Sequence, residues 1–84
     1  MERTEIIEQL KIIIKPFVKE EQAFENLTET TDFINDLKIN SANLVDIVLD
    51  IEDAFHIVID DQSMAKMLNL GAALDIIETK LNAL

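Results

Sequence analysis

With 84 residues, no cysteine and a net charge of −10, the chain has room for one domain and one modest core, supplemented by neither disulfides nor thiolate metal sites. Seventeen acidic side chains against seven basic ones repel nucleic acid and anionic lipid surfaces, so a macromolecular partner should be basic. The longest apolar run near the N-terminus, residues 12–14, is far too short for a signal or membrane segment, and a cytoplasmic, monomeric protein with no membrane span is expected.

One glycine and one proline leave few places for tight turns, and no strand-type alternation persists, so the fold is predicted to be all-helical. The first helix is predicted over 4–15, with Ile6, Ile7, Leu10, Ile13 and Ile14 on one face. Glu2, Glu5 and Glu8 near its start and Lys11 and Lys15 near its end match the helix dipole, and Pro16 bars α geometry at Lys15 and ends it. Residues 17–40 read as a long connection, anchored by Phe24, Leu27, Phe33, Ile34 and Leu37; such connections are functional or hold a short turn of their own.

Asn40 and Ser41 are good N-cap residues for a second helix over 42–55, whose inward stripe is Leu44, Val48, Ile51 and Phe55. Asp60 or Asp61 can cap a short third helix over 63–68. Asn69 then caps a last helix facing inward with Leu70, Ala73, Leu74, Ile77, Leu81 and Leu84. A single domain over residues 1–84 is expected, without internal repeats.

The acid is not evenly spread. Residues 20–61 hold twelve acidic side chains and only Lys38 to oppose them, while the flanking segments nearly cancel. With 49% hydrophobic residues at helical spacing, this is an acidic surface on a folded domain and not a disordered tail.

For a hydrolytic triad the chain offers two serines, one histidine and no cysteine. Ser41 and His56 stand at opposite ends of the second helix, about 22 Å apart at 1.5 Å per residue, and His56 reads as a surface residue. No EF-hand loop is present, because Gly71 follows Asn69 and Leu70 and not an alternating acidic run. No catalytic or metal-ligating residue is assigned. The second helix, however, carries Val45 and Leu49 one turn apart beside Asp46, Asp50 and Asp53. These are either scattered surface apolars or a docking strip for a basic, apolar groove on a partner.

The run Asp36-Leu37-Lys38-Ile39-Asn40-Ser41-Ala42-Asn43-Leu44-Val45-Asp46-Ile47-Val48-Leu49-Asp50-Ile51-Glu52-Asp53-Ala54-Phe55 resembles the "DLGxDSLxxVELVMxLEExF" segment of acyl carrier proteins. The similarity continues without a gap through Ile59, Asp61, Lys66 and the stretch Leu70-Gly71-Ala72-Ala73-Leu74-Asp75-Ile76-Ile77, more than half the chain. The resemblance implies a four-helix bundle with a long loop between helices one and two and a short third helix. It implies a non-enzymatic carrier in which a phosphopantetheinyl transferase, using coenzyme A and magnesium, attaches 4′-phosphopantetheine to Ser41. A phosphodiester there suits a helix N-terminus, with its free N–H groups and dipole. By position, the implied docking residues are Asn40, Ala42, Val45, Asp46, Leu49, Glu52, Asp53, Ile59 and Asp61, facing acyl-transferring and ketosynthase-type enzymes with basic patches.

Two departures sit at the motif: the family's Asp before the serine is Asn40, and the Leu after it is Ala42. Asn keeps the size and capping ability but loses the charge, and Ala removes an apolar contact, which points to a specialised carrier with its own partners. Three readings stay open: a carrier of fatty-acyl or polyketide thioesters, an aminoacyl or peptidyl carrier of the D-alanyl type, and an unmodified acidic interaction module.

Overall fold

A computed structural model describes residues 2–83. In chain order it contains α1 (Arg3–Ile14), a 3-10 turn (Lys15–Phe17), α2 (Glu21–Glu25), α3 (Asn43–Phe55), α4 (Asp61–Lys66) and α5 (Leu70–Asn82). The only extended pairing among the described residues is an isolated bridge between Asp32 and Asn69, so the all-α expectation holds. The helix count does not: among the described residues five α-helices stand where four were expected, the extra one being the five-residue α2 inside the long connection. None of the described helices is long and apolar enough to cross a membrane.

On α1, Ile6, Leu10 and Ile14 are fully buried at i, i+4, i+8, while Ile7 and Ile13 are half-buried at the edges of that face. Pro16 does not act as expected. Lys15 keeps right-handed helical geometry, φ −49° and ψ −46°, and the chain tightens into a 3-10 turn with Pro16 inside its first residues. The tighter turn accommodates a residue without an N–H near the helix end, where the pattern is changing anyway.

α3 and α5 both pack against α1, and α4 packs against α5. Ile47, Val48, Ile51 and Phe55 are the buried residues of α3, and Leu70, Ala73, Leu74 and Ile77 those of α5. The expected stripe on α3 is therefore rotated slightly: Ile47 goes inside and Leu44 is only half-buried. Leu81 is also half-buried, and Leu84 lies outside the described residues. Val and Ile are restrained at χ1 but pack densely, and fully burying one such side chain contributes about 1.5–3 kcal/mol.

The long connection is well tied down despite its irregular backbone. Asp32 Oδ1 accepts from the N–H groups of Ile34 and Asn35 at 2.8 and 2.7 Å, and Asp36 Oδ2 accepts from the N–H of Asp32 at 2.7 Å. Thr31, the one buried polar side chain among the described residues, accepts from the N–H of Thr28 at 2.9 Å. The N–H of Phe33 donates to the Leu68 carbonyl, that of Leu70 to Thr31, and that of Gly71 to Glu29. Arg3 bonds the carboxylates of Glu29 and Glu78, with Asp75 at 3.7 Å, so α1, the loop and α5 share one clamp. Phe33 and Leu37 are buried anchors as expected; Phe24, Leu27 and Ile34 are half-buried.

The caps follow local chemistry. Asn69 Oδ1 accepts from the N–H of Ala72 at 2.8 Å at the start of α5. At α4 the choice between Asp60 and Asp61 falls to Asp60, which accepts from the N–H of Ser63 at 2.7 Å; the helix accordingly begins at Asp61, two residues earlier than expected, and ends before Leu68. Hydrogen bonding from Ser63, through its hydroxyl and then its N–H, holds the Asp60 carboxyl below the usual carboxylate range, and Lys80 at 3.7 Å acts in the same direction. A depressed folded pKa adds stability that is complete above the unfolded value, about 3.9, and is lost as pH falls through the folded one. Asp60→Asn keeps a capping oxygen but no charge. Wild type should therefore melt above Asp60→Asn at neutral pH, and the two midpoints should converge in acid below about pH 4; a gap that stays constant through that range contradicts a role for the charge.

Candidate functional site

Ser41 lies in the turn that leads into α3, and its side chain is exposed and makes no hydrogen bond among the described residues. The turn is held by its neighbour. Asn40 Oδ1 accepts from the N–H of Ala42 at 2.9 Å, the Asn40 carbonyl accepts from Asn43 at 2.8 Å, and the Ser41 carbonyl accepts from Leu44 at 3.2 Å. The helix thus starts at Asn43 without a side-chain cap of its own, and Ser41 does not act as the expected N-cap. The N–H groups of Ala42 and Asn43 are both taken by Asn40, so the expected supply of open donors beside the serine is smaller than the sequence suggests.

Beside Ser41 opens a cavity of about 230 Å³ between α3 and α4. Leu44 and Val48 line one side, Met64, Met67 and Leu68 the other, and Phe33 lies among them; apart from Ser41, every lining side chain is apolar. Methionine adapts readily to irregular space, so two of them on one wall make a compliant lining. Nothing in the periodicity of the sequence locates this cavity, because half-buried Leu44 and Met64 look like ordinary edges of a core.

Four of the expected docking residues share the outer face of α3. Val45 and Leu49 are 49% and 53% exposed, with Asp46 and Asp53 exposed beside them. Asn40, Ala42 and Asp61 are exposed too. The other two are placed differently. Ile59 is 8% exposed and belongs to the core, so its side chain cannot lie in a surface strip; the segment Ile57-Val58-Ile59 alternates in, out, in, and that alternation is the signal in the sequence that places it. Glu52 is half-buried, and its Oε2 accepts from the N–H of Ile59 at 2.7 Å, fastening the α3–α4 connection. Val58, 77% exposed, is an outward apolar residue that the sequence reading passed over.

His56 stands at the far end of α3, exposed and left-handed at φ 56°, with the thirteen residues of that helix, about 20 Å, between it and Ser41. The two cannot form a catalytic pair. Among the described residues no group of three or more His, Asp or Glu side chains is arranged to hold a metal ion. The second left-handed non-glycine residue is Lys38, at φ 59°. The motif quoted above has glycine there, a third departure that only the backbone geometry makes conspicuous.

The described residues form a small acidic helical domain in which the Ser41 hydroxyl is exposed beside an apolar hollow. No family model matches the chain, but it is 36% identical over 81 residues to an acyl carrier protein of Coprothermobacter proteolyticus, covering 96% of each chain. It is 34% identical to acyl carrier proteins of Thermotoga maritima, over 94% of this chain and 95% of that one, and of Guillardia theta, over 99% and 100%. The chain belongs to the acyl carrier protein family, and as such is a carrier and not an enzyme.

Proposed function

We propose that the protein carries fatty-acyl or polyketide intermediates as thioesters on a 4′-phosphopantetheine arm attached to Ser41, and presents them to biosynthetic enzymes. The observation that carries this reading is the conjunction at Ser41 of a free, exposed hydroxyl and the rim of an apolar cavity. When bound, the arm supplies the thiol that a cysteine-free chain lacks. The chain's own residues do the rest: Ser41 holds the phosphodiester in the open, and Leu44, Val48, Met64 and Met67 give an aliphatic chain a dry place to lie.

The same lining favours an acyl over an aminoacyl or peptidyl cargo, because an ammonium or amide group set against Leu, Val and Met loses its hydration without a partner. Val45 and Leu49, flanked by Asp46 and Asp53, suit partners with an apolar groove rimmed by Lys and Arg: a phosphopantetheinyl transferase first, then acyl-transferring and ketosynthase-type enzymes. A cytoplasmic setting, where coenzyme A and such enzymes meet, fits this role. The test is intact mass after co-expression with a phosphopantetheinyl transferase. A gain of one phosphopantetheine is expected, and an unchanged mass points to an unmodified interaction module instead.

A further inference from the structure

Lys38 combines three features that its surroundings do not explain. Its backbone is left-handed, φ 59°, where a side chain with a Cβ is disfavoured and glycine is the ordinary choice. It is the only base in residues 20–61, among twelve acids, and yet it is exposed and forms no ion pair among the described residues. Finally, it precedes Ser41 by three residues. A strained conformation retained at an exposed position points to a use for the side chain there.

We propose that the Lys38 ammonium ion-pairs with the phosphodiester of a group carried on Ser41 and so fixes the direction in which the arm leaves the protein. The inference rests on the reading of Ser41 as the attachment point. Three residues of chain span at most about 11 Å, a gap that the lysine stem and the serine–phosphate linkage close between them. The charge balance also calls for it. An anion on Ser41 stands at the head of a helix carrying Asp46, Asp50 and Asp53, and the adjacent N–H groups of Ala42 and Asn43 are already bonded to Asn40. Lys38 is the one cation the local sequence supplies. Its neighbours in the chain are fixed: the Leu37 carbonyl accepts from the N–H groups of Lys19 and Glu20, and the Ile39 N–H donates to the Phe33 carbonyl, so the side chain is borne on an anchored backbone.

The experiment compares the phosphopantetheine-loaded wild type with loaded Lys38→Gln, Lys38→Arg and Lys38→Gly, following the phosphodiester by phosphorus magnetic resonance. Salt is raised from about 10 mM to 1 M, over which the screening length falls from about 30 to 3 Å. The wild-type resonance should move with salt as the pair is screened, Lys38→Arg should keep that movement, and Lys38→Gln and Lys38→Gly should sit near the high-salt position throughout. Lys38→Gly should also raise the melting midpoint by about 4–8 °C through relief of the left-handed strain, whereas Lys38→Gln should not, which separates strain from charge. Equal resonance positions and equal salt response in wild type and Lys38→Gln overturn the pairing while leaving Ser41 as the site. A wild type that gains neither mass nor a phosphorus signal overturns the pairing together with the reading it rests on.

Discussion

Ser41→Ala should abolish labelling by a coenzyme A analogue and leave the helical circular dichroism unchanged. The first half follows from the scarcity of alternatives: Ser63, the other serine, is half-buried and its N–H donates to Asp60 at the head of α4. The second half follows from the bonding around Ser41. Its side chain caps nothing, the turn depends on the Asn40 side chain and on carbonyls that alanine retains, and no buried group loses a partner. Surface substitutions away from caps and cores are ordinarily within about 0.5 kcal/mol of neutral. A complete loss of function with an intact fold is thus the expected signature. Labelling that survives in Ser41→Ala would place the arm elsewhere.

A substantial effect on stability is expected at Gly71, the second residue of α5. Helix propensity alone would favour Gly71→Ala by up to about 1 kcal/mol. The tertiary structure reverses that sign. A Cβ at this position would stand 2.9 Å from the Glu29 carbonyl oxygen and 3.2 Å from its Cβ. The Glu29 carbonyl cannot retreat freely, because it accepts from the N–H of Gly71 itself at 2.8 Å, and the Glu29 side chain is held by Arg3. Overpacking of this kind costs about 1–3 kcal/mol, and in a domain of this size each kcal/mol lowers the midpoint by about 4–8 °C. Gly71→Ala should melt several degrees below wild type by circular dichroism, a probe suited to a chain without Trp or Tyr. A midpoint that rises would mean that the loop carrying Glu29 yields easily and is not clamped to α5.

What the sequence disclosed and what it withheld divide along physical lines. Features set by a few consecutive residues were legible: the burial of Ile6, Leu10 and Ile14 on one face, the cap at Asn69, the α4 cap narrowed to Asp60 or Asp61, and the exposed pair Val45 and Leu49 on α3. Features set by the meeting of distant segments were not. The short α2 has too few turns to show a period. Lys15 stays helical before Pro16 because a 3-10 turn takes up the misfit, which local sterics alone did not foretell. Ile47 is buried in place of Leu44 because the cavity beside Ser41 leaves Leu44 partly uncovered. At the site, position within a motif brought Ile59 and Glu52 to the docking face, whereas packing draws the first inside and a hydrogen bond ties the second to the loop. The cavity itself needs Phe33, α3 and α4 together, and no window of sequence contains all three.

The most direct measurement is fragmentation mass spectrometry of the protein purified after co-expression with a phosphopantetheinyl transferase, which locates any added group on the chain. The expected result is one phosphopantetheine, carried on the fragment that contains Ser41 and on no other. The group found on the fragment containing Ser63, or no added mass under conditions that load another acyl carrier protein, would contradict the assignment of Ser41 as the bearer of the arm.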